Sequence, residues 1–534
     1  MSISDNSKYL ALIPENGTEF IAGQKVIFQV KPNISFIKGR DSYLSFDMEN
    51  TSPNRVASHP LNVAGASSCI ERMDIFSLEN GQLLESLVDL NKWASIENQY
   101  LNQDTTNLVV KEGCVEPLRS YICSCDSGTK ALGKVAQGLS FIEGGASRLS
   151  VIDIDGNSKF MAHKFLIPLR SGIFNHFGVD EKLTPNLLFG GMRIEMTLAR
   201  NELVMSRIPA MSSNGTGYRL DSTLPEATPP VPNGINIGNT TGAVTSITSH
   251  LNFSSIQNSA LSIGQTIRIT ANEQTHGGGE GAIDTTRVIT DLAITANKLV
   301  ITFAGALTLA TSVMVSLPLT TTTSYKLKNM ELKLLEVIPP QNMLKQVIKE
   351  SQIDFISYET FRGNLPASSL SHQEDIPSVA SKAKTLFTHY TDSTIENDPF
   401  TPNYYHGLSP HELNLDSVQY FIQNKLYPLR AYNPSHYQDK IVALNEINKG
   451  MKTIGKVVKG FGEAGGSGIN DYSYTYLTSR ELARGDDFVY NLKDSEAQIR
   501  LGFSAGRTNN IKLETFVFSV RSIMVNKDNL SLVL

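Results

Sequence analysis

Apolar and polar residues alternate with a period of two along most of this chain. That is the pattern of half-buried β-strands, not of helices. In the first 200 residues, Lys25–Val30 and residues 43–48 are such runs. Turn residues punctuate them at Pro14-Glu15-Asn16-Gly17 and Lys38-Gly39-Arg40-Asp41. Residues 71–78 form another strand, closed by Glu79-Asn80-Gly81. Residues 149–154 and 160–166 flank Asp155-Gly156-Asn157 and predict a hairpin, and 165–174 and 187–198 are further strand-like stretches. One segment keeps helical spacing. Leu83, Leu87, Leu90, Ala94 and Tyr100-Leu101 recur mostly every three to four residues, with Trp93 and Ile96 beside the stripe.

The composition shifts near Val204. Residues 205–285 are rich in Ser, Thr, Asn, Gly and Pro, with four prolines in 225–232 and four glycines in 277–281. A β-rich stretch, 287–319, follows, and 204–324 reads as an insertion with its own small β fold. Within it, 299–325 carries no charge, and the 21 residues 299–319 are long enough to cross a bilayer. The period contradicts a membrane helix. Leu299, Ile301, Phe303, Leu307, Leu309, Val313, Val315, Leu317 and Leu319 fall on odd positions, with Thr, Ala and Ser between them. Gly305 and Ala310-Thr311-Ser312 mark bends.

The strand pattern resumes at 325–338 and stops at Pro339-Pro340; residues 341–349 read as a short connecting helix. A second strand series runs from 353 to the end, best at 353–361, 384–390, 417–423, 488–492, 499–503, 512–520 and 523–526. A helix over 441–459 interrupts it, with Ile441, Leu444, Ile447, Met451, Ile454 and Val458 on one face. Lys449, Lys452, Lys456 and Lys459 on that helix read either as snorkelling lysines on a solvated face or as contacts to a phosphate-rich interior or membrane surface. Two strand series of comparable length, each with one main helix, leave no room for the helix after every strand that parallel α/β folds need. The expected fold class is all-β: two tandem antiparallel sandwiches, each a jelly roll or a related Greek key, with few helices and a β-rich loop insertion.

Composition narrows the function classes. Of 534 residues, 40% are apolar, enough for sizeable cores, and 19% are charged, below the usual quarter. With 47 basic and 52 acidic residues the net charge is −5, which excludes a globally basic nucleic-acid surface. Four cysteines, Cys69, Cys114, Cys123 and Cys125, are too few for a disulfide scaffold. Residues 1–6 are polar with no basic-then-apolar run, so no cleaved secretion signal is expected.

Three motifs bear on chemistry. Gly502-Phe503-Ser504-Ala505-Gly506 matches a nucleophile elbow, but a strand follows where that elbow needs a helix, and the last histidine, His436, precedes the serine. Gly128-Thr129-Lys130-Ala131-Leu132-Gly133-Lys134-Val135 ends in valine where a phosphate loop needs a hydroxyl. Gly460-Phe461-Gly462-Glu463-Ala464-Gly465 follows a helix, where a dinucleotide site would precede one. Cys123-Ser124-Cys125, Asp153-Ile154-Asp155-Gly156 and Asp486-Asp487 lack the further ligands of a metal site. No catalytic, cofactor-binding or metal-ligating residues are assigned, and no enzyme activity is expected.

Several segments resemble the double jelly-roll major capsid proteins of double-stranded DNA viruses, in particular the Polinton-like virus and virophage group. In the first half they are Phe165-Leu166-Ile167-Pro168-Leu169-Arg170-Ser171-Gly172-Ile173-Phe174, then Leu187-Leu188-Phe189-Gly190-Gly191-Met192-Arg193-Ile194-Glu195-Met196-Thr197-Leu198, then a closing strand over 325–337. In the second half they are Asn424-Lys425-Leu426-Tyr427-Pro428-Leu429-Arg430, similar to a strand-to-turn step, and the end Ser531-Leu532-Val533-Leu534.

The resemblance implies a first jelly roll over 1–338 interrupted by a 204–324 tower, a connection over 339–352, and a second jelly roll over 353–534. It further implies a homotrimer whose six jelly rolls make a pseudo-hexagonal capsomer, with neighbouring capsomers, penton and minor capsid proteins as partners. The location would be the virion, after synthesis in the host cytoplasm or nucleus. Lys8 is the first basic residue, so sequence-specific genome contact is not expected; an internal membrane is left open. The alternatives are a minor capsid or spike protein, a non-viral multi-sandwich carbohydrate-binding protein, or an enzyme on paired sandwiches, which would need acids around an aromatic cleft although the sole tryptophan is Trp93.

Overall fold

The computed structural model describes residues 7–51, 64–100, 150–152, 158–160, 162–204, 242–252, 263–264, 266–271, 284–309, 313–316, 324–338, 352–393, 413–434, 437–456, 477–482, 490–493, 495–507, 509–525 and 530–533. In chain order, the first seven main strands are β1 (Ser7–Leu12), β2 (Lys25–Val30), β3 (Tyr43–Asn50), β4 (Ile70–Ser77), β5 (Leu83–Val88), β6 (Ala162–Pro168) and β7 (Met192–Leu198), with the short strands Glu19–Ile21, Phe36–Ile37, Ser150–Ile152 and Ser158–Phe160 between them. Five more, β8 (Gly242–Asn252), β9 (Thr266–Ala271), β10 (Asp284–Thr295), β11 (Lys298–Leu309) and β12 (Val313–Ser316), precede β13 (Tyr325–Val337). The later main strands are β14 (Gln352–Leu365), β15 (Ser371–Asp375), β16 (Ala383–Asp392), β17 (Leu415–Ile422), β18 (Lys425–Tyr432), β19 (Leu477–Glu481), β20 (Ala497–Phe503) and β21 (Ile511–Val525), and a last short strand, Leu530–Val533, pairs with β21. Helix α1 (Leu90–Tyr100) follows β5, and α2 (Tyr437–Thr453) follows β18.

Strand order defines the fold. One sheet of the first sandwich runs β1-β13-β3-β6 and the other β2-β7-β4-β5. In the second sandwich the sheets run β14-β21-β16-β19 and β15-β20-β17-β18. Numbering each set of eight along the chain, both sandwiches read 1-8-3-6 and 2-7-4-5, every pairing antiparallel. That is jelly-roll order, made twice. Each helix lies between the fifth and sixth strands of its sandwich. Among the described residues, strands β8 to β12 pair only with one another, in the order β8-β11-β10-β9-β12.

Alternation sets the faces. Val26, Phe28 and Val30 on β2, Leu44, Phe46 and Met48 on β3, and Met192, Ile194, Met196 and Leu198 on β7 are all buried. On β11 the odd residues Leu299, Ile301, Phe303 and Leu307 are buried, so this part of the uncharged stretch is strand, and Gly305, at φ +81°, lies within β11 where its register against β8 shifts. No helix among the described residues is long and apolar enough to cross a membrane. On β13 the parity changes: Tyr325 and Leu327 are buried, then Met330, Leu332 and Leu334. The register shifts between Lys328 and Glu331, where Asn329 has φ +50° and its amide donates to Asp47 Oδ2 at 2.7 Å. Without that bulge one half of the strand would turn its apolar face outward.

Several expectations are corrected. The helix read from Leu83 onward begins at Leu90. Residues 83–88 are β5, paired with β4; Leu84 is the extra residue at a register shift, which lets it and Leu87 both be buried although their spacing of three reads as a helix stripe. Helix α2 covers 437–453 and buries Ala443, Ile447 and Met451, with Ile454 just beyond it; Ile441 is exposed. The apolar arc is thus rotated from the one expected. The turn in the second half is Gln423-Asn424, both at positive φ, and Tyr427-Pro428 lies within β18. Of 488–492 the described residues are 490–492, among which Tyr490 makes a bridge to Ala383, and 512–520 and 523–525 belong to one strand, β21. Strand 165–174 ends at Pro168, and 187–198 begins as a 3-10 turn, Asn186–Phe189. The hairpin is present as Ser150–Ile152 paired with Ser158–Phe160. The connecting helix at 341–349 lies outside the described residues.

The two ends of the 204–324 stretch are tied to the first sandwich at one place. The buried Tyr325 hydroxyl donates to Ala199 O at 2.7 Å, and Ser324 O accepts from Thr51 N at 2.9 Å. Tyr325→Phe strands the buried Ala199 carbonyl and is expected to lower stability by about 1–2 kcal/mol, read from denaturant unfolding.

Candidate functional site: the seam between the two jelly rolls

The densest chemistry in the molecule lies where the sandwiches meet. Strand β5 ends at Val88, Asp89 takes a left-handed conformation (φ +58°), and α1 starts at once, with Trp93 N donating to Asp89 O at 3.0 Å. This turn aims the first residues of α1 at the second sandwich. Trp93 is fully buried among Phe177 of the first sandwich and Tyr358, Phe387, Phe516 and Phe518 of the second. The nearest ring, Phe518, has its centroid 4.6 Å away at 59°. Tilted aromatic contacts of this kind add to area burial.

Around the tryptophan sit three buried polar knots. In the first, Glu85 on β5 accepts four hydrogen bonds: from Ser357 Oγ of the second sandwich at 2.5 Å, from Gly172 N at 2.9 Å, from Ile173 N at 3.2 Å, and from the Ser171 hydroxyl. Gly172 is required there, since a Cβ would stand 2.1 Å from Ile356 O. In the second, Lys92 and His389 meet Glu514, with Thr391 Oγ1 donating to the same carboxylate at 3.1 Å. Glu514 falls to about 2: burial raises its pKa, but Lys92 and the His389 hydrogen bond outweigh it.

The third knot is ionic. The Glu97 carboxylate is fully buried and takes Arg170 Nε at 2.6 Å, His176 Nε2 at 2.7 Å and Lys456 Nζ at 2.6 Å. Arg170 also donates to Ser67 Oγ at 2.7 Å. Lys456 follows α2 in the second sandwich; the other three residues belong to the first. Gly178 N donates to Ile454 O at 2.8 Å, and Gly455, at φ +75°, sits so close to Gly178 O that a Cβ would come within 2.0 Å. Burial opposes ionisation of Glu97, yet His176, Lys456 and Arg170 hold it well below the usual carboxylate range. Burial pushes His176 down to about 4 although Glu97 pulls the other way, so the ring is neutral at pH 7. Burial likewise lowers Lys456, against the pull of Glu97. Outside the knots, Asp89 receives Arg362 Nε at 3.0 Å and Nη2 at 2.7 Å.

Of the four lysines singled out on the second helix, Lys456 is thus drawn into the seam. Lys449 pairs with Glu446 at 3.1 Å, Lys452 is exposed, and Lys459 lies outside the described residues. One side of the seam opens as a cleft of about 560 Å³, lined by Phe36, Ile173, Phe355 and Ile523 and rimmed by Lys182 and Asp354. Among the described residues no group of three His, Cys, Asp or Glu could hold a metal. Ser504 of the elbow-like motif is exposed in a strand–turn–strand, its Oγ 3.3 Å from Asn414 O. Cys69 is buried, which pushes its thiol up. Residues 128–135, 460–465, Cys114, Cys123, Cys125, Asp153, Asp155, Asp486 and Asp487 lie outside the described residues.

Sequence reasoning missed the seam. Its one local signal is polarity out of place: Arg170-Ser171 inside the apolar run 165–174, and Glu85 between Leu84 and Leu87.

No family model and no curated protein matches the chain. Solved structures do. The PBCV-1 protein VP54, fitted into a reconstruction of the virophage Sputnik, is 9% identical over 99% of this chain and 96% of its own, with TM-score 0.44. The Faustovirus major capsid protein is 8% identical over 97% and 90%, with TM-score 0.46. The mavirus major capsid protein is 10% identical over 100% and 91%, with TM-score 0.39. At these overlaps the fold assignment rests on strand order.

Two outcomes are expected of the seam. Trp93→Ala empties the aromatic cage and costs on the order of 3–5 kcal/mol in denaturant unfolding. Acid weakens the seam in two stages. The unfolded chain protonates its histidines near pH 6.5, whereas folded His176 resists to about 4, so stability falls as pH drops between those values, by about 3 kcal/mol at most. Glu514 and Glu97, both depressed, add a further loss as pH falls below about 4.5. Thermal melts at pH 7 and 4.5 should therefore differ less for His176→Gln than for the unsubstituted chain.

Proposed function

We propose that this chain is the major capsid protein of a double-stranded DNA virus, and that it acts as a structural subunit without catalysis. The observation that carries the reading is the repeated strand order joined by a buried seam. Two jelly rolls fixed side by side make a rigid double unit, and three such units place six similar bodies around one axis. Threefold chemical symmetry then yields a sixfold outline, the shape that tiles a closed shell. The low charge content suits large obligate interfaces.

In this reading residues 1–338 are the first jelly roll, 339–352 the connection and 353–534 the second. Residues 204–324, leaving and re-entering beside Ala199 and Tyr325, form an outward projection. Neighbouring capsomers, penton proteins and minor capsid proteins are the partners, and the virion is the location.

Light scattering of the purified chain tests the reading. The expected species is three times 58.5 kDa, about 175 kDa, with shells or capsomer arrays in electron micrographs. Replacing 205–323 with a short Gly-Ser linker should leave a folded trimer with a shorter projection. Loss of all soluble protein would instead make the insertion part of the core.

A further inference from the structure

The ionic knot of the seam crowds two nitrogens onto one oxygen. Glu97 Oε1 lies 2.7 Å from His176 Nε2 and 2.6 Å from Lys456 Nζ, and those two nitrogens are 2.9 Å apart. Arg170 Nε holds the other oxygen, Oε2. An imidazole nitrogen bears either a lone pair or a proton. With its lone pair, His176 Nε2 accepts a hydrogen bond from the Lys456 ammonium. In the imidazolium both ring nitrogens are donors, so Nε2 can only donate to Glu97, and a second cation then stands against Lys456. A proton on the ring and an ammonium in its present place therefore exclude one another.

The charged groups around His176 come from four elements. Glu97 is on α1, Arg170 follows β6, and Lys456 follows α2. Arg40, in the turn Gly39–Asp41, donates to Asn175 O at 3.0 Å and to Gly178 O at 2.5 Å on either side of the histidine. One buried carboxylate thus already serves two cations, and a charged ring adds a third. Arg170 is fixed, since it is buried and also bound to Ser67 Oγ at 2.7 Å. Lys456 can yield. Its side chain keeps 13% exposure, and it stands just past Gly455, which ends the helix at φ +75°. Among the described members of the knot it is the one that the second sandwich supplies.

We propose that this knot is a proton-operated latch: a proton taken up by His176 displaces Lys456 and frees residues 454–456 of the second sandwich from 176–178 of the first, while both sandwiches stay folded. The backbone tie at that point is the hydrogen bond from Gly178 N to Ile454 O. Glu97 keeps its charge, because Arg170 and the imidazolium remain on it. In the held form burial keeps the ring neutral down to about 4, whereas a ring relieved of Lys456 titrates nearer the ordinary 6.5. Acid therefore favours release, and the ratio of released to held forms rises about fifty-fold between pH 7 and 4.5. Glu514, at about 2, stays ionised over that range, so the second knot holds while the latch opens. The latch works within one chain and does not depend on the trimer reading.

The test is hydrogen exchange resolved to single amides on the full chain, at pH 7 and 4.5, corrected for the intrinsic pH dependence of exchange. The Gly178 amide should lose about fifty-fold in protection in acid. At both pH values it should exchange well ahead of the amides of β3 and β16, which open only when a sandwich unfolds. In His176→Gln the acid response of Gly178 should vanish, because the amide side chain can accept from Lys456 and donate to Glu97 at any pH. In Lys456→Met it should shrink, because the proton then has no cation to displace. Circular dichroism checks that both variants keep their fold. A Gly178 amide that keeps its protection in acid, or one that exchanges only as fast as β3, overturns the latch. So does an acid response that survives undiminished in either folded variant.

Discussion

The fold depends on one constraint: two sandwiches of nearly identical topology must be held at a fixed angle by a joint that excludes water. Trp93 supplies the bulk of that joint. A single indole carried on α1 contacts four aromatic rings of the other sandwich. Because α1 starts one residue after β5, the position of the indole is set by the sheet, not by a flexible arm. The insertion of one aromatic into another domain's core turns two modules into a single hydrophobic unit. The buried cluster around the first core runs without a break into Tyr358, Phe387, Phe516 and Phe518.

Apolar burial alone would hold the sandwiches together without fixing their register. The polar knots supply the register. Glu85, Glu97 and Glu514 are each buried, and each takes one donor from the opposite sandwich, Ser357, Lys456 and Lys92, so a small rotation between sandwiches would break that bond, at a cost of several kcal/mol for a buried ion pair. Replacing such knots with packed apolar groups can be neutral or even favourable for stability. Their value here is discrimination between one joint angle and its neighbours. The glycines at 172 and 455 serve the same end, since each permits a backbone approach that any side chain would block.

Much of the fold was legible in the sequence because half-buried strands write their faces as alternation. Val26, Phe28 and Val30, or the odd residues of 299–307, need no tertiary knowledge to read. What escaped was of two kinds. Edge strands such as β15, sequence Ser-His-Gln-Glu-Asp, carry no apolar alternation, because one partner strand supplies their hydrogen bonds and little of their surface is buried. Segments with two valid periods were misassigned, as with Leu83 to Leu87, where pairing with β4 decides between strand and helix. The seam escaped for a simpler reason. Its ionisable members stand at 85, 92, 97, 170, 176, 389, 456 and 514, and no local window holds an acid and all its partners.

The place of β13 after the 205–323 stretch has a kinetic consequence. The strand that follows it, β13, is not an edge: it lies between β1 and β3. As the chain is synthesised, β1 and β3 emerge long before the strand that joins them, and the whole 205–323 stretch intervenes. In equilibrium terms this separation is cheap, since each doubling of a loop adds only about 0.6 kcal/mol of closure entropy. In time it is not, because the first sheet stays split until β13 arrives. Strands β8 to β12 pair with one another, so they can form before β13 emerges. The order of chain emergence thus favours an excursion whose strands need no partner outside it.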